Sequence, residues 1–155
     1  MKEDKIEMAK IIAVCISNKK GCKKKAVDEG ILKRGYGIIG DAHANNDSHR
    51  QVSLLSMSSI EKMRKMGAEV GPGDFAENLT IEGIELFTLP VGTHLGIGDD
   101  IVLEMTQIGK ECHEHCAIFK QVGTCVMPVE GVFTKVINGG MVKAGDKLKI
   151  VLKSQ

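Results

Sequence analysis

The feature that most constrains the fold is a series of short apolar segments, each bounded by turn residues. Five of them follow one another in the second half of the chain: NLTIEG, THLGIG, DIVLEMTQIG, GVFTKVI and DKLKIVL. Segments of this length, separated by Gly, Pro, Asp-Asp and Asn-Gly-Gly turns, are typical of a closed or sandwiched antiparallel sheet. The chain holds 18 glycines, and such a sheet uses glycine at bulges and corners where φ is positive.

The first half of the chain adds two predicted strands and two predicted loops. The apolar, β-branched run AKIIAVCIS at 9–17 indicates a buried strand, and QVSLL at 51–55 indicates a short one. The segment 18–30 is basic and contains glycine, and the segment 35–50 is polar and lacks apolar periodicity. We therefore predict that both are loops.

One helix is predicted in the segment SMSSIEKMRKMG. Met57, Ile60, Met63 and Met66 recur there at three-residue steps, as on one face of a helix. We interpret this stripe as core packing rather than as a set of ligands. Ser58 or Ser59 is the predicted N-cap, and the glycine that ends the segment is the predicted stop.

Composition excludes several classes of protein. A chain of 155 residues predicts a single domain spanning 1–155, and we expect residues 1–8 to be a loosely ordered N-terminus. A net charge of +1 and 3% aromatic residues argue against nucleic acid as a partner. No segment resembles a signal core or a membrane span. We therefore expect a cytoplasmic protein that does not bind membranes, and whose five cysteines are reduced.

The segment KECHEHC at 110–116 is the densest cluster of reactive side chains. It holds Cys112, His113, His115 and Cys116, and if it opens a helix, the thiol of Cys112 lies near the helix N-terminus, which favours the thiolate. Three interpretations stay open on spacing alone. The cluster is a structural metal site completed by Cys125, or a set of packing cysteines with surface histidines, or a single functional cysteine, Cys112, with the others around it. Cys15, inside an apolar strand, is interpreted as a core residue.

Two further polar groups are candidates for a binding site. Asp41, His43, His49 and Arg50 lie in the polar loop 35–50, where an Asp-x-His pair can orient an imidazole and a guanidinium can bind phosphate. The alternative is a loop whose polar side chains bond to their own backbone. The segment EVGPGDFAENLTIEG at 69–83 contains Gly73, Glu77 and Asn78. Its backbone amides are candidates to cradle an anion.

These pieces, in this order, resemble the MOSC domain, named for the C-terminal domain of molybdenum-cofactor sulfurases. The segments that carry the resemblance are GDAHANNDSHRQVSLL (40–55), PGDFAENLTIEG (72–83), LPVGTHLGIGDDIVLEMTQIGKEC (89–112) and GGMVKAGDKLKIV (139–151). The resemblance implies a compact, mostly antiparallel β-barrel with a few short helices. The segments HRQVSLL and CHEHCAIF are similar to those of short, stand-alone bacterial members encoded beside molybdopterin-biosynthesis proteins.

The resemblance also implies a function and its residues. The family's cysteine corresponds to Cys112, which is expected to carry sulfane sulfur as a persulfide or to ligate the metal of a molybdopterin-type molybdenum cofactor. Pyridoxal phosphate belongs to the sulfurase domain of larger proteins, and we do not expect it to be covalently bound here. The expected partners are a cysteine desulfurase or other sulfur donor, and a molybdoenzyme or a cofactor-biosynthesis protein. The working hypothesis is a sulfur transferase. A molybdenum-dependent reductase component with a separate electron donor, a Cys/His structural metal-binding module and a non-catalytic chaperone are its alternatives.

The hypothesis gives each candidate residue a role. Arg50 and the loop amides around Gly40 and Gly73 are expected to hold the phosphate of the cofactor. The expected pocket lining is His43, His49, Glu77 and Asn78, with Asp41 beside them. Next to Cys112, His113 and His115 are expected to assist proton transfer, and Cys116 is the candidate resolving thiol.

Overall fold

The computed structural model describes residues 8–19, 23–109 and 127–151. Its eleven strands are β1 (Met8–Ile16), β2 (Lys25–Val27), β3 (Glu29–Lys33), β4 (Gly37–Ile38), β5 (Val52–Ser56), β6 (Leu79–Glu82), β7 (His94–Ile97), β8 (Ile101–Ile108), β9 (Val132–Asn138), β10 (Gly140–Lys143) and β11 (Lys147–Val151). The helices are α1 (Met57–Lys65) and the single turn α2 (Met127–Glu130), with a 3-10 turn at Leu86–Thr88. No helix in these ranges is long and apolar enough to cross a membrane.

Seven of the strands close a barrel. Their order is β11-β7-β8-β9-β5-β6-β1, and β1 pairs back with β11. Every pair is antiparallel except β5 and β6, which are parallel because α1 and the loop after it carry the chain back before β6 begins. The strand β2 adds to β1, while β10, β3 and β4 form a separate three-stranded sheet. The predicted mostly-β barrel with few helices is confirmed.

The barrel has one apolar core inside and a second outside. Successive side chains of a strand point to opposite faces, so Leu54 belongs to the inner core and Leu55 to the outer one. Side chains from β3, β4 and β10 join the inner core. The outer core lies under α1 and comprises Leu55, Ile60, Met63, Ala68, Val70, Phe75, Met127 and Phe133.

The predicted strands at 9–17 and 51–55, and those in the second half of the chain, are confirmed within a residue or two. The prediction of a loop over 18–30 is wrong at its end, because β2 and the start of β3 lie there. Gly30, an inward position of β3, has no side chain and is packed by Val14, Ile38 and Val142. The apolar side chains that fill this inward position therefore belong to other strands, so the sequence of β3 itself lacks the apolar pattern of a strand. The predicted loop 35–50 contains only the two-residue strand β4.

The helix is where the sequence places it, but its start differs. The N-cap is Ser56, not Ser58 or Ser59. Ser59 lies inside the helix, where its buried hydroxyl donates to Glu130 Oε1 at 2.5 Å. The helix ends before Gly67, at φ +102°, as predicted. The stripe is core packing at Ile60 and Met63, whereas Met66 is half exposed.

Candidate functional site

A row of side chains crosses the outer face of the barrel from β8 to β1. Gln107 lies opposite Phe133, and Phe133 lies opposite Ser53. Ser53 exchanges hydrogen bonds with Asn78, which directly precedes β6, and the Cys15 amide donates to the Asn78 carbonyl at 2.7 Å. Neighbouring strands lie about 4.8 Å apart, so the row is about 19 Å long. It brings together residues from five separate parts of the sequence.

The loop 71–78 folds around the carboxylate of Glu77. This carboxylate is fully buried and accepts hydrogen bonds from the amides of Gly73 (2.8 Å) and Phe75 (3.1 Å) and from the hydroxyl of Thr80 (2.9 Å). Burial raises the pKa of Glu77 because it disfavours the charged form. The Gly73 amide is thus used inside the loop. The prediction that it is available to hold an anion is corrected, since Glu77 occupies that position.

Asn78 joins this loop to the barrel. Its side-chain oxygen accepts from the Ser53 amide, and its nitrogen donates to the Cys15 carbonyl, both at 3.0 Å. The Asn78 side chain is fully buried. Just before β6 begins, it links the backbone of β5 to the backbone of β1 in place of the hydrogen bonds that a strand between them would make. Glu77 and Asn78 were expected to line the pocket, but both side chains are fully buried. Their polar atoms bond to the loop and to the adjoining strands instead.

Lys24 connects the loop 71–78 to the polar loop 35–50. Its ammonium lies 2.8 Å from Asp41 Oδ1 and 2.9 Å from His43 Nδ1, while its amide donates to the Gly73 carbonyl. The side chains of Lys24 and Asp41 are completely buried, and that of His43 is 35% exposed. An ammonium can only donate, so Nδ1 of His43 accepts and its ring proton is on Nε2. No sequence signal marks Lys24 as part of the site, since it is one of five lysines in a basic run.

Cys15 is buried beside this network, in contact with Gly73. Burial, followed by the negative charge of Glu77 and Asp74, raises the pKa of its thiol to about 12. A thiol of this kind stays protonated and is a poor nucleophile. The interpretation of Cys15 as a core residue is confirmed.

His49 and Arg50 lie at the other end of the row and are exposed. His49 Nε2 lies 2.6 Å from Gln107 Oε1, and the amide nitrogen of Gln107 donates to the Gly109 carbonyl. The guanidinium of Arg50 lies over the ring of Phe133, 5.8 Å from its centroid. Within the described part of the chain, no carboxylate forms an ion pair with Arg50. This end of the row therefore presents a cation and an imidazole to solvent.

The cysteine and histidine cluster, Cys112, His113, His115 and Cys116, lies outside the described residues, as does Cys125. The last described residue before it is Gly109, whose amide donates to the Gly131 carbonyl at 2.7 Å. Among the residues the structure does describe, no three His, Cys, Asp or Glu side chains are placed to hold a metal ion.

Comparison with known proteins places the chain in a family. The model of the MOSC domain matches residues 39–149. The chain belongs to the MOSC family. The matched MOSC region includes the polar loop 35–50 from residue 39 onward, the loop 71–78 and Cys112, while Cys15 and Lys24 precede it. None of the curated protein sequences matches this MOSC chain.

Solved structures share the fold of this MOSC protein. The YuaD protein from Bacillus subtilis superposes with a TM-score of 0.79 at 19% identity, over 94% of this chain and 96% of that one. YiiM from Geobacillus stearothermophilus gives 0.69 at 15% identity, covering 93% and 75% of the two chains. YiiM from Escherichia coli gives 0.63 at 18%, covering 94% and 71%. At these identities the likeness is one of fold.

Proposed function

We propose that this MOSC protein is a cytoplasmic sulfur carrier of molybdenum-cofactor metabolism, which holds sulfane sulfur as a persulfide on Cys112. The family is related to the C-terminal domain of molybdenum-cofactor sulfurases, and a cysteine thiolate is both a strong nucleophile and a soft metal ligand. Cys15 does not suit this role, because it is buried and its pKa is about 12.

The transfer step exchanges one sulfur–sulfur bond for another. The Cys112 thiolate attacks the terminal sulfur of a persulfide on a donor such as a cysteine desulfurase. The new bond joins Cys112 to that sulfur, and the donor cysteine leaves as a thiolate. The step has no net oxidation or reduction, and its rate rises with the thiolate fraction of the attacking cysteine.

The observation that carries the proposal is the anchoring of Gly109 beside His49 and Arg50. Gln107 bonds to both His49 and Gly109, and Gly109 precedes Cys112 by three residues. The exposed guanidinium of Arg50 at this end of the row suits an anionic cofactor or a persulfide.

The side chains present at this end of the row fit the phosphate of a molybdopterin-type cofactor. Arg50 offers a planar fork of donors, and its guanidinium has no acidic partner within the described ranges. His49 donates its Nε2 proton to Gln107 Oε1, so only the protonated ring has a second donor, on Nδ1, for a phosphate. His43 lies near the far end of the row, beside Lys24 and Asp41. When bound, the cofactor supplies a metal centre that takes a terminal sulfur ligand, and Cys112 is the residue proposed to deliver the sulfur. In this proposal, Asp41, Glu77 and Asn78 hold the loops 35–50 and 71–78 in place.

The proposal is tested by sulfur loading. The protein is incubated with a cysteine desulfurase and free cysteine, and its intact mass is compared with that of the untreated protein. We expect a gain of one sulfur atom in the wild type and in Cys22→Ser, and no gain in Cys112→Ser. A gain that persists in Cys112→Ser would contradict the carrier role. If no variant gains sulfur and stoichiometric zinc is found instead, the protein is a structural metal-binding module.

A further inference from the structure

The three-stranded sheet carries an apolar row on its outer face. Met141 on β10 lies directly opposite Ile31 on β3. Ile39, just after β4, donates its amide to the Ile31 carbonyl at 2.9 Å, which continues the row across the third strand. Their exposed fractions are 54% for Met141, 44% for Ile31 and 52% for Ile39. Three large apolar side chains thus lie side by side in solvent.

This row is separate from the site described above. The side chains on the other face of the same sheet, Leu32, Ile38 and Val142, are buried in the barrel core. The outer face is therefore the only face of the sheet left for an additional contact. A contiguous exposed apolar patch on a sheet is a common feature of interaction surfaces.

The charges around the row are arranged symmetrically. Along β3 the exposed positions are Glu29, Ile31 and Lys33, so a negative and a positive side chain lie at equal distances on either side of the apolar row. Consider a twofold axis that lies above this face, parallel to the row and perpendicular to β3. It places a second copy of the sheet face to face with the first, with its β3 running in the opposite direction. Ile31 then faces Ile31 of the second copy, and Glu29 faces Lys33 of the second copy.

The same axis creates both charge pairs at once, because each interaction in a twofold interface occurs twice. Stacked sheets lie about 10 Å apart, a distance that a glutamate and a lysine can bridge together. Lys143, the cross-strand neighbour of Glu29, stacks over Gly139 in this geometry, since Gly139 continues β10 opposite Lys33. No cation is placed directly over Lys143.

We propose that this face binds a second copy of the chain, face to face, through the row of Met141, Ile31 and Ile39 and through the paired Glu29 and Lys33. The second copy is the occupant that the charge pattern selects, because the pattern is complementary to itself. Three short strands offer less than the roughly 800 Å² per partner of a standard interface. We therefore expect a weak dimer of the transient class.

The test is a charge swap measured by sedimentation equilibrium over a range of protein concentrations. Glu29→Lys and Lys33→Glu each replace two attractive pairs with two repulsive ones, and we expect each to raise the dimer Kd about tenfold. The double variant Glu29→Lys with Lys33→Glu restores both pairs with reversed sign. We expect its Kd to return to within about threefold of the wild-type value.

Two further variants complete the design. Ile31→Lys places a charge at the centre of the row, and we expect it to be monomeric at all concentrations. Val91→Asp, at an equally exposed apolar side chain on another surface (57%), leaves the Kd unchanged. A wild type that is monomeric throughout would overturn the proposal. A dimer that tolerates Ile31→Lys, or that the charge swap fails to restore, would show that another surface forms it.

Discussion

The buried pair of Lys24 and Asp41 is the residue-scale feature that holds the two loops of the site together. A lysine within a basic run is normally solvated, and this one is buried because Asp41, 17 residues later, supplies the opposite charge at 2.8 Å. Removing one member of a buried ion pair leaves the other charge without compensation, which is strongly destabilising.

Lys24→Met is therefore expected to lower the free energy of unfolding by about 3 kcal/mol, because Asp41 loses its buried counter-charge and keeps the amides of Ser17 and His43 as donors. Lys25→Met is the matched control, since Lys25 is exposed on β2, and we expect a change within about 0.5 kcal/mol. Urea unfolding of both variants measures the difference. Equal effects of the two substitutions would show that the buried pair contributes nothing.

Glu77 makes stability depend on pH. Burial raises its pKa above the ordinary value of 4.5. Between 4.5 and the pKa of Glu77 in the folded chain, the folded chain therefore binds more protons than the unfolded chain. The free energy of unfolding contributed by this group is therefore highest below 4.5 and falls as the pH rises through the folded-state pKa. Glu77→Gln removes this titration.

We expect the difference in unfolding free energy, wild type minus Glu77→Gln, to decrease steadily as the pH is raised from about 4 to about 8. Urea unfolding of both proteins at a series of pH values provides the measurement. A difference that stays constant over this range would mean that Glu77 titrates as an exposed carboxyl does.

At the scale of elements, the loop 71–78 is fixed by a close backbone approach. Gly73 has φ +89°, and a Cβ atom there would lie 2.2 Å from the Lys24 carbonyl oxygen. Gly92 has a similar φ of +99°, but a Cβ atom would meet nothing within 4 Å. The two glycines therefore separate backbone strain, which both share, from the steric clash, which only Gly73 has.

We expect Gly92→Ala to cost about 1 kcal/mol of unfolding free energy, from the positive φ alone. Gly73→Ala is expected to cost about 3 kcal/mol or more, because the backbone of Lys24 must also move. Thermal or urea unfolding measures both. Similar losses in the two variants would mean that the loop relaxes freely and does not need glycine for packing.

The elements that the sequence predicts well are those whose own side chains supply the apolar pattern. β1 is a continuous apolar run and β8 alternates, so both are evident from their residues. β3 and β10 each have few apolar side chains of their own, and their inward positions are packed by other strands. The predicted start of α1 is wrong, because serines stand at 56, 58 and 59 and the local pattern does not tell them apart. The bond from Ser59 to Glu130, 71 residues away, is likewise not evident from the local sequence.

At the scale of the whole molecule, barrel closure assembles the site. The row from Gln107 to Cys15 joins residues that no motif spacing connects, and Lys24 has no sequence signal at all. The family pattern predicts the barrel and the candidate loops, because glycines and buried polar residues at those positions are needed for the turns. Which of the polar residues face solvent depends on the packing, and here His49 and Arg50 do so while Glu77 and Asn78 do not.

We propose that Cys112 alone carries the transferred sulfur, and peptide mapping after desulfurase treatment locates that sulfur. We expect the added sulfur atom on the peptide containing Cys112, from which a mild reductant releases it. We expect no added sulfur on the peptide containing Cys15, whose thiol is buried with a pKa of about 12. Sulfur located on any other cysteine, with Cys112 unmodified, would contradict it.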